Sequence, residues 1–200
     1  MKGRVGCIVL VVVALIAGGA LFWGIGVNNT LVKKQVAVDG AWSNVENVYQ
    51  RRADLIPNLV ETVKGVANFE KSTLTAVIEA RAKATQIVLS PEVVNDPAKF
   101  RQFQAAQGEL SAALGRLLAV AENYPELKAN QNFLELQSQL EGTENRIAVE
   151  RRRFNETVQD YNTAVRVFPA SLVASMRGFT PKAFFEADQG AEKAPPVKFP

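Results

Sequence analysis

From Val5 to Val27 the chain runs 23 residues without one charged side chain. A hydrocarbon core about 30 Å thick is crossed by about 20 helical residues at ~1.5 Å rise each. The run is long enough to span it with some tilt. It is longer than the apolar part of a secretory signal, and Trp23 stands near its end, where an interfacial aromatic belongs. Residues 1–4 therefore read as a short flank and Val5–Val27 as a transmembrane helix, a single-pass anchor with a lipid membrane as its partner. Within it Ala14 and Gly18, and Ala20 and Gly24, are each four apart. Such pairs let two membrane helices approach closely, although glycine is also simply common in such helices.

The rest of the chain has an ordinary soluble composition. Of the 23 basic residues, 21 follow Val27 together with all 20 acidic ones, a net of +1. That is no field for nucleic acid. There is no histidine, which removes the commonest general base and the commonest metal ligand. The lone cysteine, Cys7, lies inside the apolar run, so no disulfide forms within the chain. Nearly all of the apolar stretch follows Cys7, whereas a lipoprotein cysteine comes after it.

Residues 30–167 show three helical patterns and no bounded strand alternation. The first carries apolar or aromatic residues at Val38, Trp42, Val45, Tyr49, Ile56, Leu59, Val63 and Val66. This heptad stripe skips Arg52, which lies on it, and continues less strictly through Leu74, Ile78 and Ile87. Pro57 removes one intrahelical hydrogen bond and disfavours helix at Ile56. Because the stripe keeps its phase, a helix kink is expected there rather than a turn. After a loop at Ser90–Pro97, with Asp96 as N-cap and Pro97 as first helical residue, the second stripe reads Phe100, Phe103, Gln107, Leu110, Leu114, Leu117, Ala121 and Tyr124. The third reads Phe133, Leu136, Leu140, Thr143, Ile147, Glu150, Phe154, Val158, Tyr161, Val165 and Phe168, and Pro169 stops it.

The expected fold is all-α: the membrane helix, then an up-and-down antiparallel bundle of three long helices over 31–89 (kinked), 97–123 and 127–168. A short C-terminal helix at Ser171–Gly178 completes a domain of residues 28–186, and 187–200 reads as a flexible tail. The second helix is long enough to pair back only along about residues 63–89. The stripe Val38, Trp42, Val45, Tyr49 is then left uncovered. Either the segment with Phe179, Phe184 and Phe185 folds back over it, or another subunit covers it; the second is preferred, which makes the chain a homo-oligomer. Val38, Trp42, Val45, Tyr49 and Arg52 are the expected assembly residues; Arg52, on the apolar stripe, needs a counter-charge, either from another helix of the bundle or from a neighbouring subunit, where it would fix register.

No catalytic, cofactor-binding or metal-binding residue is expected, and no cofactor. Arg51–Asp54 reads as an ion-pair network. Arg151, Arg152 and Arg153 point about 100° apart and so form no single anion patch. Glu141 and Glu144 lack the histidines of four-helix carboxylate metal sites.

Ala41-Trp42-Ser43-Asn44-Val45-Glu46 and Arg51-Arg52-Ala53-Asp54-Leu55-Ile56-Pro57-Asn58-Leu59-Val60-Glu61-Thr62-Val63-Lys64-Gly65 closely resemble the signature of the LemA family. Glu141, Glu144-Asn145-Arg146-Ile147, Arg151, Phe154-Asn155, Tyr161-Asn162 and Phe184-Phe185-Glu186-Ala187-Asp188 extend the resemblance over nearly the whole chain. Phe154-Asn155 stands where a Tyr-Asn is common in the family. The resemblance implies a bacterial protein with an N-terminal membrane helix, a helical-bundle body and no established enzymatic activity. The resulting expectation is a non-enzymatic, self-associating scaffold or interaction protein of the bacterial cytoplasmic membrane that organises membrane or partner proteins. The alternative is an adaptor for a membrane enzyme such as a protease. Lys2, Arg4 and the N-terminal amine flank the span more closely than Lys33 and Lys34, which favours an extracytoplasmic domain by a narrow margin.

Overall fold

The computed structural model describes residues 2–66, 69–87 and 92–186, with side chains described at residue 8 and from residue 10 onward. The side chain of Val5, residues 88–91, where the expected loop begins, and residues 187–200, expected as a flexible tail, lie outside the described residues. The regular elements among the described residues are all helical: α1 (Lys2–Lys64), α2 (Lys71–Gln86), a 3-10 turn (Val93–Asn95), α3 (Pro97–Ala121), α4 (Pro125–Lys128), α5 (Gln131–Arg166) and α6 (Ala170–Arg177).

α1 passes from the uncharged run into the body without a break. Nothing between Val27 and Lys64 stops it, and at ~1.5 Å per residue its 63 residues extend about 95 Å. Pro57 lies inside it. A proline at 57 has no N–H for the Ala53 carbonyl, and the Arg81 side chain of α2 supplies the missing donor: its Nε donates to Ala53 O at 2.9 Å. The proline is thereby tolerated, and α2 is tied to α1 at the same point.

The expected single helix over 31–89 is corrected to two. α1 ends at Lys64, Gly65 follows, and the chain reverses before α2. Apolar residues run on past Val66, less strictly, through Leu74, Ile78 and Ile87, but Lys64-Gly65 is a helix stop. The phase changes across it as well. α2 buries Thr73, Leu74, Val77, Ala80 and Ala84, while Ile78, expected on the stripe, is 46% exposed.

The next helix begins as its capping residues dictate. Asp96 Oδ1 accepts from the backbone N–H of Ala98 (2.9 Å) and Lys99 (3.2 Å), with Pro97 as the first helical residue. Its stripe from Phe100 to Ala121 is buried, Gln107 included. Asn130 caps α5 by accepting from Phe133 N at 3.2 Å. The third expected helix, 127–168, is corrected at both ends: α4 and a turn precede it, and it stops at Arg166, so Phe168 turns outward and is 75% exposed. α6 closes with Gly178 at φ 75°, where the N–H of Phe179 reaches back to Ala174 O at 2.9 Å. This is a Schellman-type end that favours glycine.

Cross-contacts set the directions. α1 and α5 are antiparallel, since Lys34 faces Asp160 and Arg52 faces Glu144. α2 runs against both α1, with Arg81 at Ala53, and α3, with Lys83 at Glu109. α3 therefore runs with α1, and Trp42 meets Phe100 and Phe103. The core divides into two apolar clusters. One gathers Leu31–Tyr49 of α1 with Phe100, Phe103, Ile147–Val165 and Phe185. The other gathers Ile56–Val63 with α2, Leu110–Ala121 and Phe133–Leu140.

Val38, Trp42 and Val45 are fully buried within the chain and Tyr49 is 5% exposed. The expectation that another subunit covers this stripe is corrected. α5 is longer than α2 and runs down the whole lower half of α1, the N-terminal half of α3 packs beside it, and the segment after α6 folds back over both.

Candidate functional site

Between the two apolar clusters lies a single polar layer. Arg52 is on the apolar seam of α1 and is 1% exposed. Its Nη1 donates to Glu144 Oε1 of α5 (2.5 Å) and to Ser111 Oγ of α3 (2.7 Å); its Nη2 donates to Gln107 Oε1 (2.5 Å). The guanidinium carbon lies 5.1 Å from the centre of the Tyr49 ring, one turn earlier. Gln107 passes the connection on, its Nε2 donating to Ala84 O of α2 at 3.5 Å. Thr143, one of two polar entries in the α5 stripe, satisfies its hydroxyl on Gln139 O (2.7 Å). One cation thus ties α1, α3 and α5 directly, and α2 through an amide.

A buried cation is tolerated only with a counter-charge and hydrogen bonds, and Arg52 has both inside its own chain. Of the two places open to its counter-charge, the bundle itself supplies it, on α5. Nε of Arg52 is buried with no hydrogen-bond partner among the described residues. Glu144 is the open side of the layer, its side chain 43% exposed, on a cleft of about 300 Å³ shared with Gln104, Gly108 and Arg151. Such a layer holds heptad helices in one register. Its groups are bonded to one another rather than aimed at a vacant centre.

A second construction holds the segment after α6. Residues 180–186 run extended along α5 and are gripped by two asparagines seven residues apart. Asn162 Nδ2 donates to Lys182 O (2.9 Å) while its Oδ1 accepts from Lys182 N (2.7 Å). Asn155 does the same with Phe185, at 2.9 Å each way. Seven helical residues rise ~10.5 Å and three extended residues cover about 10 Å, so the two spacings match. Tyr161 Oη donates to Thr180 O, and Arg151 and Gln104 both donate to Glu186 O. On the other side the N–H of Ala183 donates to Val94 O, and Lys182 Nζ donates to Asn95. The strap seats Phe185 against Phe100 (4.9 Å), Phe154 (5.6 Å) and Trp42 (6.3 Å). Phe179 is partly buried, and Phe184, one residue from Phe185, faces outward and is 53% exposed.

Burial moves three titrations in this half of the domain. It raises the Glu46 carboxyl above its ordinary value, offset in part by the nearby Trp42 indole. Neither Trp42 Nε1 nor Glu46 Oε1 meets hydrogen-bond geometry with any described partner. Burial also raises the Tyr161 phenol, reinforced by the charge of Asp39, and lowers the Lys182 ammonium, which Asp39 partly restores.

Of the remaining sequence-derived residues, Ala14, Gly18, Ala20 and Trp23 are exposed on α1, with Gly24 and Val27 half-buried. A Cβ at Gly18 or Gly24 would meet nothing within 4 Å. Pro57 is inside α1, not at its end. Asp54 pairs with Gln50 (2.8 Å) and Arg153 with Glu150 (2.9 Å). Asn155 and Asn162 were legible only as parts of the family resemblance. A neutral amide every seventh residue, just off an apolar seam, is the signal that marks such a clamp.

Residues 41–199 match the model of the LemA family. Among relatives, magnetosome protein MamQ of Magnetospirillum gryphiswaldense is 26% identical over 72% of this chain and 58% of its own length. Magnetosome protein MamQ 2 of Paramagnetospirillum magneticum is 26% identical over 79% of this chain and 64% of its own length. Protein LemA of Metamycoplasma hominis is 23% identical over 82% of this chain and 71% of its own length. The chain spans less than two thirds of the MamQ relatives it matches. The match takes in the polar layer, the asparagine clamp and the strap, and with it the chain belongs to the LemA family.

Proposed function

We propose that this protein is a single-pass, non-enzymatic scaffold or interaction module of the bacterial cytoplasmic membrane, with its helical domain on the extracytoplasmic side. The observation that carries the reading is the continuity of α1: the apolar span and the principal core helix are one 63-residue helix. The body is therefore a rigid extension of the anchor, about 55 Å beyond the apolar run, rather than a domain on a flexible tether. The polar side chains of the interior are spent on register and on holding the strap, a division of labour that serves a fixed shape.

The chain's own folding covers the stripe around Trp42, so self-association is assigned to the membrane helix, where Ala14, Gly18, Ala20 and Gly24 leave room for a second copy. The mass of the intact complex in a lipid disc tests this. Two or more chains per disc, reduced to one by Gly18→Leu with Gly24→Leu, supports a self-associating scaffold. One chain per disc in the unsubstituted protein refutes it and leaves the reading of an adaptor to a membrane enzyme.

A further inference from the structure

Beyond the span, four large exposed apolar side chains gather at one place, the corner between α5 and α6. Phe168 is 75% exposed, Met176 84%, Leu172 57% and Val167 53%. Leu172 and Met176 are four apart on one face of α6, and Ala174, on the opposite face, is buried. An exposed apolar face of this kind marks a contact, and its position says with what.

The antiparallel register of α1 and α5 sets the height of this corner. Lys34 faces Asp160. From that pair toward the span runs a cleft of about 730 Å³, in which, about two to three turns on, Phe22, Trp23 and Val27 of α1 face Val167 of α5 and Ala170 of α6. At the far end of α6, Arg177 Nε donates to Asn28 Oδ1 at 3.0 Å. The corner is thus level with the last apolar turns of the span and the first polar residue after it. A rigid body that places Val27 at the edge of the hydrocarbon places Phe168, Leu172 and Met176 there too. The charges in this band are Lys33, Lys34, Arg166 and Arg177 against Asp160, a net of +3.

We propose that the α5–α6 corner is a second membrane contact. Phe168, Leu172 and Met176 enter the headgroup–acyl boundary of the leaflet from which α1 emerges, and Arg166 and Arg177 meet the phosphates of anionic lipid. An amphipathic helix in the interface is held by buried apolar area together with attraction to anionic lipid, and both are present here. The cleft between α1 and the corner is apolar on its membrane side and takes an acyl chain. Held at two points, the domain stands at a fixed tilt and cannot rotate freely about its anchor. The inference rests on the proposed membrane span, so its test reads the two separately.

In a Cys7→Ser background, an environment-sensitive fluorophore is placed singly through Ile25→Cys, Met176→Cys and Leu134→Cys. The full chain is reconstituted in phosphatidylcholine vesicles containing phosphatidylglycerol, with and without acyl-brominated lipid. The expected result is a blue-shifted emission at 176, quenched by brominated lipid to a degree close to that at 25. The label at 134, at the far end of the bundle, is quenched by aqueous iodide instead. Arg166→Gln should reduce the lipid quenching at 176 without moving that at 25. A label at 176 that behaves like the one at 134 overturns the proposal while the span stands. So does a label shielded from iodide yet untouched by brominated lipid, which would mean a protein partner or second copy. A label at 25 that escapes brominated lipid overturns the span and this inference with it.

Discussion

Glu144→Gln removes the carboxylate charge paired with Arg52 and leaves its shape. Breaking a buried pair from one side costs roughly 3–5 kcal/mol, because the remaining ion stays desolvated. Here Glu144 is 43% exposed, so water screens part of its interaction, while Ser111 and Gln107 still bond the guanidinium. The cost expected for Glu144→Gln is therefore about 1–3 kcal/mol. Arg52→Met removes the ion and nearly fills its volume. It leaves Gln107 Oε1 without its donor, a loss of roughly 1–2 kcal/mol, set against the desolvation of the cation that is no longer needed. The double substitution should then lie close to Arg52→Met alone, with a coupling of at least about 1 kcal/mol. Guanidinium unfolding of the full chain in micelles, followed by Trp42 fluorescence in a Trp23→Phe background, reads each corner of the cycle. Additive effects, within about 0.3 kcal/mol, would refute the claim that these residues act as one layer.

Three further outcomes follow from particular contacts. Arg81→Met should cost about 1–2 kcal/mol in the native chain, since Ala53 O loses the only donor that Pro57 leaves it; in a Pro57→Ala background the helix N–H returns and most of that cost should vanish. Asn162→Ala strips Lys182 of both backbone partners and should open residues 180–186 to amide hydrogen exchange and proteolysis while α1 to α5 stay protected; equal loss of protection throughout would mean the strap is not a separate unit. Glu46 is held above its ordinary carboxyl value of 4.5 by burial, so the folded state favours its protonated form. That contribution is complete below pH 4.5 and is lost as pH rises through the raised value. Glu46→Gln should therefore stabilise the domain at neutral pH and make no difference in acid, and a gain that does not depend on pH would exclude the titration as its cause.

What the sequence determined by itself is local. An uncharged run of spanning length needs no partner to declare itself, and Asp96-Pro97 caps α3 with atoms two and three residues away. The stripes of α3 and α5 declare which face is buried, because each helix turn repeats the same geometry. The polar exceptions Arg52, Gln107, Thr143 and Glu150 were visible too, but nothing along the chain says that Arg52 meets Gln107 and, off the stripe, Glu144. That is a property of register between helices far apart in sequence. The helix stop at Lys64-Gly65 was passed over because apolar residues continue beyond it, less strictly, at Leu74, Ile78 and Ile87, and only packing against α3 decides that Val77 rather than Ile78 turns inward. The cover over Trp42 was undecidable for the same reason. An exposed stripe is the same stripe whether a neighbour, a second copy or the chain's own end closes over it, and the tertiary structure selects the last because two asparagines one heptad apart match the pitch of an extended strand.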